Sequence, residues 1–132
     1  MQHKNFYMSF VDFRILNISF SINKGFKGRK HLTINPQIAL AHKYEKKEKT
    51  LMVRLKISLT KGEIPFIFEI ESEGRFIFKE APNKDIIKNA STINCPAIIF
   101  PYVRETVADI TRRAGFPPLH LPPINFLELT KR

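Results

Sequence analysis

The chain has 132 residues, 43% of them hydrophobic, and 22 Lys and Arg against 12 Asp and Glu give it a formal charge of +10. That length predicts one domain spanning 1–132, and the apolar fraction excludes wholesale disorder. The single cysteine excludes an intrachain disulfide or a four-thiolate metal site, while the basic excess favours an anionic partner such as nucleic acid, acidic lipid or an acidic protein surface.

The first eight residues lack the apolar core and cleavage site of a signal peptide, and no apolar run reaches the roughly 18–20 residues of a membrane span, so a cytoplasmic protein is expected. Phe6 to Phe13 is apolar and aromatic with partial alternation, a strand pattern that Ile15 to Ile22 continues. Asn23 to Lys30 is a basic loop containing Gly25 and Gly28. Leu32, Ile34, Ile38 and Leu40 hold to even positions, a period-two strand in which Pro36 marks an edge or a bulge. Lys43 to Lys49 is a charged hairpin connection. Leu51, Val53, Leu55, Ile57 and Leu59 then alternate with Met52, Arg54, Lys56 and Ser58, the pattern of a half-solvated antiparallel strand. After a turn at Lys61-Gly62, Ile64 to Ile70 forms a dense strand with Phe66 and Phe68 on one face and Ile67 on the other. Glu71 to Gly74 is expected to turn the chain again before a short strand, Arg75 to Phe78.

The final third changes character. Asp85 to Thr92 predicts a short helix, and Ile99, Val103, Val107, Ile110 and Ala114 recur at three or four residues, one stripe of a second. With Pro96 and Pro101 tolerable only near a first turn, the regular helix is expected over Pro101 to Ala114, with Asp109 and Arg113 paired at i,i+4 and Gly115 closing it. Phe116 to Phe126 holds four prolines among five large apolar residues and predicts an extended segment that needs a surface to lie on. Phe126 to Arg132 predicts one or two turns of helix.

Catalytic motifs are missing from the sequence: it has no GxGxxG, P-loop or His-containing zinc signature. Cys95 lies before a proline and far in sequence from any histidine. Glu69, Glu71 and Glu73 alternate onto one solvated strand face, and His120 reads as a solvated loop residue. No enzyme activity, metal or cofactor is expected.

Asn94 to Glu105, in which Cys95-Pro96 precedes an apolar run, Phe100-Pro101-Tyr102 and Arg104-Glu105, resembles the signature of the SecB family of protein-export chaperones. Gly115 to Phe126 resembles the segment joining that family's two long helices, Phe10 to Ser21 its first strand, and Phe66 to Phe78 its last hairpin. The resemblance implies an α+β fold, a four-stranded antiparallel sheet with helices packed on one face. It also implies a homotetrameric dimer of dimers with the main helix sandwiched between sheets. The function it implies is ATP-independent holding of unfolded or precursor polypeptides, for export or for guarding an antitoxin. The matching groove positions are Ile38 and Leu40 on the second strand, Leu119, Leu121 and Pro122 in the connector, and Phe126 after it.

Three features depart from the family pattern. The chain is basic where typical SecB proteins are acidic. Of the positions that dock the basic tail of the SecA motor, Ile67 and Glu69 match, but Asn17 and Ser21 stand where the family has acidic residues. The usual acidic tail does not follow Arg132 in this sequence. Three other readings of the residues stand beside the holdase: the groove positions as covered core, a purely structural subunit or interaction domain, and a basic nucleic-acid-binding domain using the Lys24 to His31 and Lys43 to Lys49 loops. Against the last, the aromatic residues fall mostly in strands rather than among the lysines.

Overall fold

The computed structural model describes residues 7–26, 28, 34–62 and 64–130. Four strands, β1 (Met8–Ile22), β2 (Gln37–Glu45), β3 (Thr50–Leu59) and β4 (Phe66–Phe78), are followed by α1 (Lys84–Asn89), a π-turn (Ala90–Asn94), α2 (Cys95–Arg113) and α3 (Phe126–Leu129). All neighbouring strands are antiparallel, in the order β1-β4-β3-β2.

Alternation decides which face is covered. Leu51, Val53, Leu55 and Ile57 of β3 lie opposite Phe76, Gly74, Ser72 and Ile70 of β4, and every one of these eight is buried. Ile38, Leu40 and Tyr44 of β2 extend the same face, opposite Ile57, Leu55 and Leu51. On this inner face lies α2, which contributes Ile99, Val103 and Val107, each no more than 1% exposed.

The first strand explains its own irregular pattern. Its 15 residues pair with the 13 of β4, and the register slips between Phe10 and Asp12 and again between Ile15 and Asn17. These two β-bulges leave Val11 and Leu16 without a rung of their own. Without the first, Phe13 would fall out of phase with Phe10; with both, Met8, Phe10, Phe13, Ile15, Ile18 and Phe20 all meet inner-face residues of β4. The two apolar stretches are thus one continuous strand, as expected, with two corrections of register.

The turn expected at Glu71 to Gly74 does not form, and β4 runs straight through it. Gly74 serves close approach instead. A Cβ there would lie 2.6 Å from the Ile99 Cγ2 and 3.1 Å from the Phe76 ring, so the missing side chain is where the helix comes down on the sheet. The expected turn at Gly62 does hold, at φ +99°.

The main helix also starts earlier than proline chemistry suggests. Pro96 has no N–H for the carbonyl four residues back. The helical path survives through a wider bond, Cys95 N–H to the Ala90 carbonyl, five residues back. Pro101 is accommodated inside α2. The end is as expected: Gly115 takes φ +95°, Gly115 N–H donates to the Arg112 carbonyl, and Phe116 N–H to that of Thr111, a Schellman closure. Asp109 accepts from Arg113 at 2.9 Å and also from Arg112. Asn83 and Asn125 cap α1 and α3, each side chain accepting a backbone N–H three residues on.

Candidate functional site

Because α2 lies over β3 and β4, it leaves the inner faces of both edge strands partly open. On the β2 flank, Ile38 and Leu40 are half-buried and pack on the edge of the core. The π-turn touches both β2 and α3, which brings the terminal helix to the same flank.

Residues 116–125 carry no helix, as expected, and run back along α2. Two side chains of that helix pin them. Leu119 N–H donates to the Thr111 Oγ1 at 2.9 Å, and Arg104 Nε donates to the Leu121 carbonyl. Prolines supply no backbone donors, so the arm offers Leu119 N–H and the Leu121 carbonyl from between its two proline pairs, and a helix side chain meets each. Phe116 packs edge-on against Phe66 at 5.0 Å, and Phe126 edge-on against Phe100 at 6.0 Å, which anchors both ends of the segment.

The six sequence-derived groove positions divide into two sets. Ile38, Leu40 and Leu119 are half-buried and Pro122 is exposed. Leu121 and Phe126 are 1% and 3% exposed. The covered-core reading therefore holds for Leu121, whose own carbonyl is held by Arg104, and for Phe126, whose ring packs on Phe100.

The outer face of the sheet is a lattice of cross-strand ion pairs. Arg75 holds Asp12 through two bonds of 2.6 and 3.1 Å, Arg54 meets Glu73 at 3.0 Å, and Lys56 meets Glu69 at 3.2 Å. The Arg75 guanidinium holds the Asp12 carboxyl below its usual range. Glu69, Glu71 and Glu73 do share this face, though Glu73 is largely covered. Ile67 and Glu69 lie at one end of it, opposite Ser21 and Ser19, with Asn17 opposite Glu71. Four positions scattered in sequence thus gather on one surface, and the Glu69 carboxylate there is already paired.

Sequence reasoning missed the β1 flank. Tyr102 stacks on Phe13 at 5.1 Å and tilts against Phe10 at 5.9 Å, yet remains 46% exposed. Ile98, one turn earlier, and Ile18 and Ile22 on β1 are also exposed. A cleft of about 530 Å³ opens beside Tyr102 and Phe13 and is closed by Pro118 and His120 of the connector. A second cleft, of about 330 Å³, lies between Met8, Phe10, Ile93 and Ile98. The missed signal was a second apolar spacing on the same helix, Ile98 and Tyr102 at i,i+4, beside the buried stripe. His120 is exposed, as expected.

Cys95 is fully buried with its sulfur 3.6 Å from the Met8 sulfur, and burial pushes the thiol up to about 12. That environment suits packing, not nucleophilic chemistry. Among the described residues no cluster of three metal-ligating side chains occurs, and no helix is long and apolar enough to cross a membrane.

An antiparallel sheet with half-open flanks, covered on one face by a helix and its pinned proline-rich arm, defines the α+β scaffold of a polypeptide-holding chaperone. The family described as preprotein translocase subunit SecB matches residues 3–132, and the chain belongs to that family. Its relatives include the protein-export protein SecB of Dinoroseobacter shibae, 32% identical over 119 residues covering 86% of this chain and 69% of that protein. The SecB protein of Ruegeria sp. is 34% identical over 111 residues, covering 80% and 67%. In fold the chain matches a Mycobacterium tuberculosis SecB-like chaperone solved in complex with a ChAD peptide from the HigA1 antitoxin, with a TM-score of 0.79 at 20% identity over 91% of this chain and 93% of that one.

Proposed function

We propose that the chain is an ATP-independent holdase that binds unfolded polypeptides along the β2 flank, in the cytoplasm, and that residues 1–132 act as one domain. The observation that carries this is the exposure gradient on the inner face. Leu55 and Ile57 of β3 are fully buried, while their β2 partners Leu40 and Ile38 stay half-open. An extended client can set alternate side chains onto such a strip, whereas a compact one cannot reach it. The family resemblance adds Leu119 and Pro122 of the connector as further client contacts, with the buried Leu121 and Phe126 anchoring the arm that carries them. The proline-stiffened arm loses little freedom when a client docks.

The relatives' export role and the antitoxin peptide on the mycobacterial chaperone give two destinations for one binding surface. Precursor polypeptides and an antitoxin are thus the two client classes of that surface. The exposed β1 edge, with Ile98, Tyr102, Ile18 and Ile22 beside it, supports assembly into a homotetramer as a dimer of dimers.

The test is suppression of aggregation of a chemically unfolded client, with and without ATP. The wild type should suppress light scattering equally in both conditions. Ile38→Ser with Leu40→Ser should keep the fold by circular dichroism and lose most of the protection. Full protection by that double variant would overturn the β2 assignment. For assembly, multi-angle light scattering at micromolar concentration should give about four times the 15.4 kDa protomer, and a monomer would refute it.

A further inference from the structure

The end of the β2 flank is cationic. β2 stops at Glu45, and Lys46, Lys47 and Lys49 follow in the hairpin to β3, all exposed. Lys49 Nζ donates to the Lys79 carbonyl at 3.3 Å, tying the hairpin to the end of β4, where Lys79 is exposed as well. Lys88 lies in the last turn of α1, just before the π-turn that touches β2.

The hairpin's own carboxylates do not neutralise this end. Glu45 pairs with Lys43 at 4.0 Å on the outer face. Glu48 accepts from the Thr50 hydroxyl through its backbone carbonyl, and its carboxylate makes no ion pair with a hairpin lysine among the described residues. Among the described residues, Lys46, Lys47 and Lys49 have no carboxylate within ion-pair distance. Glu80 and Asp85 are the remaining acids nearby in sequence, fewer than the lysines they accompany.

Building on the holdase reading, we propose that this lysine cluster selects clients whose apolar segment is flanked on one side by acidic residues. The strip from Ile38 to Glu45 spans roughly 24 Å at about 3.4 Å per residue. A client laid along it for about seven residues therefore leaves the sheet over Lys46 to Lys49. Lysine is a point charge on a flexible stem, so it meets carboxylates at variable positions without demanding one geometry. That is what a binder of many sequences requires. A polypeptide fits better than a nucleic acid, because the tyrosines at this end among the described residues, Tyr44 and Tyr7, are half-buried and both pack on Phe78, at 6.2 and 5.4 Å, instead of offering a free face for base stacking.

The experiment uses the full chain and three fluorescein-labelled peptides with one apolar core of about seven residues, flanked at one end by Glu-Asp-Glu, by Ser-Gly-Ser or by Lys-Arg-Lys. Anisotropy at 50 mM salt should rank acidic over neutral by about five- to tenfold, with the basic peptide weakest. At 0.5 M salt the preference should fall below about twofold. The variant Lys46→Glu with Lys47→Glu and Lys79→Glu should reverse the ranking of the charged peptides and leave the neutral one unchanged within about twofold.

Binding of all three peptides with equal affinity would overturn the selectivity and leave the holdase reading standing. Failure of every peptide to bind would overturn both. A labelled 20-nucleotide single-stranded RNA forms the last arm. Binding of that RNA that is lost in the triple-Glu variant, with no ranking among the peptides, would replace the proposal with a nucleic-acid surface.

Discussion

Gly74 offers the sharpest test of how the helix seats on the sheet. Its φ lies outside the left-handed region, so the backbone itself tolerates any side chain, and Gly→Ala at such a site ordinarily stabilises by about 0.4–1 kcal/mol through the unfolded chain. Here the added Cβ would sit 2.6 Å from the Ile99 Cγ2, about an ångström inside ordinary contact. Ile99 is fully buried on α2, so relief requires the helix to lift or the side chain to leave its rotamer. Overpacking of that kind costs about 1–3 kcal/mol. Gly74→Ala should therefore be destabilising by about 1–2 kcal/mol net. Ile99→Ala alone should cost about 2–4 kcal/mol as a cavity. In the Ile99→Ala background the worst contact is gone, and Gly74→Ala should become close to neutral, limited by the 3.1 Å approach to Phe76. The assay is urea unfolding followed by circular dichroism at one fixed protein concentration, because assembly makes apparent stability concentration-dependent. A coupling of about 1–2 kcal/mol between the sites is expected. Additivity within about 0.5 kcal/mol would refute the close-approach argument.

Four other outcomes follow from the structure. Leu121→Ser should cost at least about 2 kcal/mol, since the side chain is 1% exposed, whereas Leu40→Ser should cost less than half as much; thermal melts giving the reverse order would place the groove floor elsewhere. Cys95 should resist a thiol reagent at pH 8 on the timescale of minutes and react fully in 6 M guanidinium; fast native labelling would contradict its burial. Asp12 and Asp109 titrate below their usual range in the fold, so the stability they contribute is complete above about pH 4 and is lost as pH falls through their lowered folded values. Asp12→Asn should flatten that acid limb in urea titrations between pH 2 and 5, and an unchanged limb would show the Arg75 pair to be inert. Finally, the basic tail of a SecA motor should bind more weakly than low micromolar at 0.15 M salt, given neutral Asn17 and Ser21 and a Glu69 already held by Lys56; tighter binding by calorimetry would disprove this.

Period-two alternation made β3 legible almost to the residue, because both its faces have settled environments: core on one side and ion pairs on the other. The helix stripe Ile99, Val103 and Val107 was legible for the same reason. Features that depend on a distant partner were not. Gly74 looks like a turn until Ile99 is placed over it. Pro96 and Pro101 look like breaks until the π-turn absorbs one and α2 encloses the other. The apolar content of the connector was evident, but the division between buried Leu121 and exposed Pro122 is decided by Arg104 and Thr111, whose bonds span 17 and 8 residues. The lysine end of the β2 flank was visible only as a charged hairpin, since nothing in its spacing says that Glu45 turns to the other face and pairs with Lys43.

The doubled bulge in β1 has a further consequence for how this strand tolerates change in length. Val11 and Leu16 occupy no rung, so each can be removed without reversing the face of any residue after it. Deleting Leu16 would leave Ile15, Ile18 and Phe20 on the inner side and merely straighten the ribbon. Deleting Ser19, by contrast, would swing Phe20 and Ile22 to the opposite side, because no spare residue lies between them and Ile18 to restore the phase. The strand thus carries two points of slack, and natural length variation in this edge should collect at positions 11 and 16 while the stretches between them keep their count.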